Sequence, residues 1–316
     1  MDYSRLGPDG PKVSAIALGG ASLGSVYDDV PQAQADEVVA AALEHGINLI
    51  DVAPYYGLTK AETALGQALR GVERDRYVLM TKVGRYGDKD WDFSRDAIMR
   101  GLEDSLSRLG TDRIDVLQCH DIEHGDRREL RDEALPLLRE LKADGVIGRI
   151  GVTGYDLKFL RDVAVGERVD TVMAYCTYTL QDQRLARVTP DLAMAGVAVF
   201  NASPLGMGLL TDRGPPEWHP GHPDVWAAAA EAARICRERG DDISALALRW
   251  ALQTARGAGF ASTVIGMSKA SNLKRNLEAL TAPIDDELLQ AVQVALAPVV
   301  DKGWDVLPGS GGKAGA

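Results

Sequence analysis

Short runs of apolar residues recur along the chain, and the stretches between them carry apolar residues at helical spacing. The short runs are near-continuous rather than alternating, which is typical of parallel strands that are buried on both faces. This pattern predicts eight strands, at residues 15–18, 47–51, 77–81, 114–118, 149–152, 171–174, 197–200 and 262–265. It predicts helices at residues 32–45, 61–70, 94–109, 130–143, 223–239 and 244–254.

The number of strands and the length of the chain together indicate the fold. Eight strands separated by helical patterns in 316 residues favour an α/β fold of the closed (β/α)8 TIM-barrel type over an open doubly wound sheet. No GxGxxG motif follows the first strand, which weighs against a Rossmann domain. Residues 3–14 are predicted to form an N-terminal β-hairpin. We find no internal repeat or linker, so we expect residues 1–308 to form one domain and 309–316 to be a disordered tail.

The composition excludes several classes of function. Hydrophobic residues make up 46% of the chain, which is ample for a large core. The net charge of -11 argues against nucleic acid and anionic membrane surfaces as partners, because both are negatively charged. The amino terminus lacks the apolar segment of a signal peptide, and no stretch resembles a transmembrane helix. We therefore expect a cytoplasmic protein that is a monomer or a weak homo-oligomer.

The cysteines also favour a cytoplasmic protein. Cys119, Cys176 and Cys236 are odd in number and far apart, and none stands at the spacing of a metal-binding motif. This usage fits a reducing cytoplasm. The sequence predicts no metal site.

Polar residues follow three consecutive predicted strands. Asp51 ends the second strand and Tyr56 stands just beyond it. Lys82 follows the third strand and His120 follows the fourth. Taken singly, each has an ordinary explanation: a capping aspartate, a half-buried tyrosine, a solvated lysine and a core histidine. Because the carboxyl ends of barrel strands meet at one mouth, where chemistry takes place, the four together indicate an active site.

Such a set of side chains could transfer a proton. A tyrosine hydroxyl has a pKa of about 10, and a neighbouring ammonium lowers that pKa by favouring the phenolate. We expect Asp51 to hold Lys82 charged, and His120 to donate a hydrogen bond to the substrate oxygen. This arrangement suits a carbonyl or alcohol carbon at which a hydride also moves. No nucleophile with a base, pair of glycosidase carboxylates or Walker loop is recognisable.

The order and spacing of these residues resemble the catalytic tetrad of the aldo-keto reductase family. The resemblance extends from residue 3 to about residue 280 and includes the opening hairpin, Gly19-Gly20 and the closing segment Ile265-Gly266 to Asn276. Within the family, the chain is most similar to the members that oxidise aldoses such as L-galactose and L-fucose. The segments that carry this closer similarity are 117–123, 202–211 and 214–220.

The resemblance implies a nicotinamide cofactor that lies extended across the barrel mouth. Carried over by position, Thr153, Gly154 and Tyr175 would face the nicotinamide, and the segment after the seventh strand would line the pyrophosphate. The adenosine end would lie along Gly266 to Asn276. The full set of implied cofactor contacts is Gly20, Ala21, Ser22, Asp51, Thr153, Gly154, Tyr175, Ser203, Pro204, Leu205, Gly206, Met207, Gly208, Gly266, Met267, Ser268, Lys269, Asn272, Arg275 and Asn276.

The chain departs from the family pattern at three places. Gly154 replaces an asparagine that anchors the carboxamide, and Ala202 replaces an aromatic residue that stacks on the ring. Gly266 and Asn272 stand where members that prefer NADPH have basic residues for the 2′-phosphate. Without fixed cations that phosphate would be poorly held, so NAD is favoured as the cofactor. Lys269 or Arg275 could still bind the phosphate, which keeps NADP as an alternative.

For the substrate we expect a sugar, since aromatic faces and hydroxyl groups suit sugar rings. The predicted pocket consists of Tyr27, Tyr56, Trp91, Phe93, His120, Asp121, Tyr155 and Trp218. Asp121 would accept a sugar hydroxyl, or it is a charge at the rim. Each aromatic residue could equally serve only in packing.

The sequence therefore predicts an oxidoreductase that transfers a hydride between NAD(P) and an aldose, oxidising C1 to the lactone with Tyr56 as the general base. One alternative is a carbonyl reductase, or a dehydrogenase of another alcohol such as pyridoxal or a glycoside. Another is a cofactor-binding regulatory subunit without catalytic activity.

Overall fold

The computed structural model of the chain describes residues 1–7, 9–26 and 29–304. These residues contain twelve strands, in chain order: β1 Tyr3–Arg5, β2 Lys12–Ser14, β3 Ile16–Gly19, β4 Leu49–Asp51, β5 Val78–Val83, β6 Arg85–Gly87, β7 Asp90–Trp91, β8 Ile114–Cys119, β9 Ile147–Gly154, β10 Thr171–Tyr175, β11 Ala198–Ala202 and β12 Ser262–Gly266. The predicted tail at 309–316 lies outside the described residues, as does Tyr27.

The eight predicted parallel strands close into a barrel. Its order is β3-β4-β5-β8-β9-β10-β11-β12, and β12 pairs with β3 to complete the circle. Every neighbouring pair is parallel, with registers such as Gly19 opposite Asp51 and Lys82 opposite Gln118. The carboxyl ends of all eight strands therefore lie at the same end of the barrel. The prediction of a (β/α)8 barrel is confirmed.

Helices separate most of the barrel strands. They are α1 Gln32–Glu44, α2 Lys60–Ala68, α3 Arg95–Leu109, α4 Arg127–Glu129, α5 Leu135–Ala143, α6 Leu157–Glu167, α7 Leu185–Met194, α8 Pro223–Glu238, α9 Ile243–Ala255, α10 Ala270–Ala279 and α11 Asp286–Leu296. A π-helical segment, Leu130–Ala134, joins α4 to α5. The predicted start and end of α3 are confirmed, since the Ser94 side chain accepts from the backbone N–H of Ala97 and Gly110 has φ 65°.

Two hairpins lie outside the barrel wall. The predicted hairpin β1–β2 places Leu6 and Val13 in one apolar cluster with barrel residues such as Leu49 and Phe200. Both hairpin side chains are buried, and burying side chains of this size contributes about 1.5–3 kcal/mol each. Since β2 leads directly into the start of β3, this hairpin closes the amino-terminal end of the barrel. The other hairpin, β6–β7, follows β5 at the opposite end and was not predicted.

The larger apolar cluster fills the space between the barrel and the helices, with members such as Ile50, Leu79 and Leu138. Along β4 and β5 the residues alternate between the two clusters, which is the period-2 alternation of strands buried on both sides. Among the described residues, no helix is both long enough and apolar enough to cross a membrane.

Candidate active site

The four rim residues predicted from the sequence come together at the carboxyl ends of the strands. Asp51 is the last residue of β4, and Tyr56 lies on the turn that follows. Lys82 is the penultimate residue of β5, and His120 directly follows β8. Asp51, Lys82 and His120 are buried, whereas Tyr56 is partly exposed.

A buried ion pair forms the base of this group. The Lys82 ammonium donates to Asp51 Oδ1 at 2.7 Å and to Oδ2 at 2.8 Å, and its third bond goes to the Val52 carbonyl at 3.0 Å. Gln118, from β8, also donates to Asp51 Oδ1, at 3.4 Å. Burial by itself would lower the pKa of Lys82, but Asp51 and Tyr56 raise it above its usual value. Lys82 therefore remains an ammonium at neutral pH.

The Tyr56 ring lies beside this ammonium. Lys82 Nζ lies 4.7 Å from the centroid of the Tyr56 ring. The His120 imidazole meets the same ring edge-on, with 5.7 Å between the centroids and 88° between the planes. One phenol thus has an ammonium on one side and an imidazole on another.

The direction of the Tyr56 pKa shift differs from the expectation. Burial raises the pKa of the Tyr56 hydroxyl, Lys82 lowers it, and the net shift is upward. The acidifying effect of Lys82 is present, but the sequence could not show how deeply the phenol is buried. Tyr56 is accordingly a neutral phenol at neutral pH before any ligand binds.

His120 is uncharged. Burial lowers the pKa of its imidazole to about 3, and the nearby cations Lys82 and Arg85 act in the same direction while Asp121 opposes them. His120 Nδ1 makes no hydrogen bond with any described residue, and Nε2 lies 3.8 Å from Asp121 Oδ2. A neutral imidazole has one N–H to donate, which matches the predicted contact to a substrate oxygen.

A second buried ion pair, which the sequence analysis missed, lies beside the first. Arg85, on β6, donates to Asp121 Oδ2. Its guanidinium carbon lies 3.6 Å from the ring centroid of Tyr55 and 4.8 Å from that of Trp91. Asp121 has a left-handed backbone with φ 49°, which orients the residue after His120 towards this arginine. Arginine on a short hairpin gives no periodic signal, so only the structure shows the pair.

The residues expected at the nicotinamide end lie on neighbouring strands. Thr153 accepts a hydrogen bond from the Asp121 backbone N–H at 3.0 Å. Gly154 ends β9 and packs against the carboxyl group of Glu123. Tyr175 ends β10, with its ring centroid 5.6 Å from that of Tyr155.

The segment after β11, expected along the pyrophosphate, has an unusual backbone. Ser203, Gly206, Met207 and Gly208 all have positive φ, between 52° and 97°. Non-glycine residues rarely adopt this conformation, and such strain is concentrated at binding sites. His219 Nε2 lies 2.9 Å from the Gly206 carbonyl oxygen and fixes this segment to the loop that precedes α8.

The segment expected at the adenosine end presents a buried amide without partners. Asn276 on α10 is fully buried, and neither its oxygen nor its nitrogen forms a hydrogen bond in the part of the chain that the structure describes. Asn272 accepts from the backbone N–H of Ser268 at 3.3 Å. Lys269 and Arg275 are exposed. Gly266, the last residue of β12, adjoins Ser22 in the helical turn that follows β3.

These features fit a nicotinamide cofactor. The expected contacts lie on β3, β4, β9, β10, β11 and β12 or just after them, so they form a continuous arc at one end of the barrel. A buried amide without hydrogen-bond partners is costly unless a ligand completes its bonds. Asn276, on the helix that follows β12, is such an amide.

The predicted substrate residues do not all face open space. Phe93 is fully buried between Gly84 and Gly125, and Tyr155 is covered by Trp304, whose ring stacks on it at 4.0 Å. In this structure Phe93 and Tyr155 therefore serve in packing, which was the alternative to a place in the substrate pocket. Trp91 and Trp218 are partly exposed. Trp304 was missed because it is distant from β9 in sequence.

Comparison with known proteins agrees with this geometry. A profile described as the Aldo/keto reductase family matches residues 15–297. The chain belongs to the aldo/keto reductase family. It is accordingly an NAD(P)-dependent oxidoreductase, and the resemblance drawn from the tetrad motif is confirmed.

Individual members of this family match over nearly the whole chain. The L-galactose dehydrogenase of Arabidopsis thaliana is 38% identical over 313 residues, covering 96% of this chain and 97% of the relative. The D-arabinose 1-dehydrogenase of Saccharomyces cerevisiae is 34% identical, covering 84% and 82%. Among solved structures, the holo form of the aldo-keto reductase AKR11C1 from Bacillus halodurans superimposes with a TM-score of 0.75 at 28% identity, covering 93% of this chain and 96% of that one.

Proposed function

We propose that this aldo/keto reductase is an NAD-dependent aldose 1-dehydrogenase that oxidises a sugar of the L-galactose or L-fucose type to its lactone. The observation that carries the proposal is the buried Asp51–Lys82 pair beside the Tyr56 ring, with the neutral His120 at the same end of the barrel. The names of the two relatives support an aldose as the substrate and C1 as the reacting carbon.

The roles of the four residues follow from their protonation states. A bound nicotinamide would supply the acceptor for the hydride that leaves C1. Tyr56 takes the proton of the C1 hydroxyl, so it must first lose its own proton to solvent, and the Lys82 ammonium stabilises the phenolate. His120 donates a hydrogen bond to the same sugar oxygen. Asp51 keeps Lys82 charged and in place through two hydrogen bonds.

NAD is the proposed cofactor because the adenosine end offers few cations. Gly266 and Asn272 have no charge, and the Asn272 oxygen is already engaged with Ser268. Lys269 and Arg275 are exposed, where a contact to a 2′-phosphate would be weakened by water and salt. A 2′-phosphate would therefore gain little on binding.

The test is a steady-state assay of cofactor reduction with NAD and with NADP. The substrates are L-galactose, L-fucose and other aldoses, set against simple aldehydes, pyridoxal and glycosides. We expect turnover with an aldose and NAD, a lactone as the product, and a higher kcat/KM for NAD than for NADP. The matched control is Tyr56→Phe, which should abolish turnover while cofactor still binds.

Three outcomes would contradict the proposal. Turnover only with pyridoxal, glycosides or simple aldehydes would replace the sugar by another substrate class. Unchanged turnover in Tyr56→Phe would remove Tyr56 from its role. Cofactor binding without turnover on any substrate would favour a regulatory subunit.

A further inference from the structure

One carboxyl group at the mouth of the barrel lacks a full set of hydrogen bonds. Glu123, on the loop after β8, is 5% exposed. Its Oε1 accepts from the Tyr155 backbone N–H at 2.6 Å. Its Oε2 is shielded from solvent and has no hydrogen-bond partner among residues 1–7, 9–26 and 29–304. A buried carboxylate oxygen without a partner is costly, so this site favours either a protonated carboxyl or a nearby cation.

The position of this carboxyl connects it to the proposed nicotinamide site. A Cβ built on Gly154 would lie 2.0 Å from Glu123 Oε2 and 2.8 Å from its Cδ. The Glu123 carboxyl thus occupies the space that a side chain at residue 154 would fill. Gly154 lies next to Thr153 at the end of β9, where the resemblance to the aldo-keto reductases implies the nicotinamide ring.

The groups around Glu123 do not neutralise a negative charge. Asp121 faces it from the same loop, and the Tyr175 phenol faces it from the end of β10. His124, also on this loop, has its pKa lowered by burial and stays neutral at neutral pH. Arg85 is already paired with Asp121. The backbone N–H groups of Glu123 itself and of Tyr155 and Asp156, between β9 and α6, also approach the carboxyl.

Glu123 is therefore mostly protonated at neutral pH. Burial, and then the charge of Asp121, raise the pKa of its carboxyl to about 8. A positive charge placed nearby would favour the carboxylate and lower this pKa again. The ring of the oxidised nicotinamide is cationic, whereas the reduced ring is neutral.

We propose that Glu123 holds a proton in the free protein and releases it to solvent when the oxidised cofactor binds beside Gly154. This inference rests on the proposed function. The O–H bond of the carboxyl breaks, the proton passes to water, and the carboxylate that remains compensates the charge of the ring. Binding of the reduced cofactor releases no proton. Glu123 would thus favour the oxidised over the reduced cofactor increasingly as the pH rises.

Proton release on binding can be measured by titration calorimetry at pH 7 in two buffers with different ionisation enthalpies. For the unaltered protein we expect most of a proton to be released per chain with NAD and none with NADH. Between pH 7 and 8 the Kd for NAD should fall by up to about fivefold. In Glu123→Gln, which keeps the acceptor for the Tyr155 N–H, we expect no release and a Kd independent of pH. Tyr56→Phe, the control for the other titratable group, should release protons as the unaltered protein does.

Gly154→Ala provides an independent variant, because its added methyl group would displace the Glu123 carboxyl. We expect reduced proton release with NAD and a lower thermal unfolding midpoint, because the Tyr155 N–H loses its acceptor. Equal proton release in the unaltered protein and Glu123→Gln, or full release in Gly154→Ala, would overturn the role of Glu123. If NAD binding to the unaltered protein releases no proton and the protein still oxidises an aldose, the inference fails and the proposed function stands. Absence of NAD binding would overturn both.

Discussion

Two buried ion pairs lie side by side at the mouth of the barrel, and they differ in how the fold supports them. Asp51 and Lys82 lie on adjacent barrel strands, so the sheet register fixes their separation. Arg85 and Asp121 lie on a two-stranded hairpin and on a loop, and aromatic rings hold the arginine in place. One pair is set by the barrel, whereas the other is set by side-chain packing above it.

The difference separates two tasks. The Asp51–Lys82 pair directly contacts Tyr56, so it acts on the proposed proton transfer. The Arg85–Asp121 pair joins the hairpin β6–β7 to the residue after His120, so it positions the surrounding groups. In both pairs, removal of one partner leaves a buried charge without a counterion. The destabilisation that this causes is larger than the stabilisation that the intact pair provides.

Lys82→Met should have the largest effect. It leaves the Asp51 carboxylate unpaired and removes the charge beside Tyr56. We expect kcat to fall about 10³-fold or more and the free energy of unfolding to fall by about 3–5 kcal/mol. Steady-state kinetics and urea unfolding measure the two effects. The matched control is the double variant Asp51→Asn, Lys82→Met, which should recover much of the stability and none of the activity. Recovered activity would show that the pair is structural only.

Arg85→Met should have a smaller effect on turnover. It leaves Asp121 unpaired and loosens the hairpin, so we expect kcat/KM to fall about 10- to 100-fold through misplacement of the substrate. Arg85→Lys keeps the charge but not the planar stacking on Tyr55. Its kcat/KM should therefore lie between those of the unaltered protein and Arg85→Met. Kinetics over the sugar panel would test this order. A loss as large as that of Lys82→Met would contradict the division of tasks.

The pH dependence of hydride transfer should report on Tyr56, the residue beside the first pair. Since the pKa of Tyr56 lies above its usual value, the phenol is protonated at neutral pH. As the general base in aldose oxidation, Tyr56 must be a phenolate. We expect the rate of hydride transfer to rise with pH from 6 to 9, by up to about tenfold per unit. His120, with a pKa of about 3, should contribute no transition in this range. Single-turnover rates would test this, and a rate that falls as pH rises would contradict it.

Much of the first pair could be predicted from the sequence, whereas the second could not. Asp51, Lys82 and His120 directly follow or end apolar strands, and strand ends in a parallel barrel share one rim. Arg85 and Trp304 reach the site from a hairpin and from the carboxyl-terminal part, and no periodicity marks such contacts. Local sequence patterns thus locate the residues at strand ends. They do not locate residues on hairpins or distant segments that pack against those ends.

Burial accounts for the other differences from expectation. The sequence placed Tyr56 beside Lys82, but the direction of the Tyr56 pKa shift depends on how much protein surrounds the phenol. Phe93 and Tyr155 were expected at the pocket as aromatic residues near the rim, and each is covered by a neighbour that is distant in sequence. Residue type and spacing do not reveal which face of a ring is covered.

The hairpin β1–β2 has a consequence for how this enzyme could diversify. With Leu6 and Val13 it forms a floor under the strands, far from the reacting groups. The loops at the open end can therefore change in length, sequence or charge, while the end covered by the hairpin continues to hold the strands in register. Selection on substrate choice and selection on folding act on opposite ends of the same molecule.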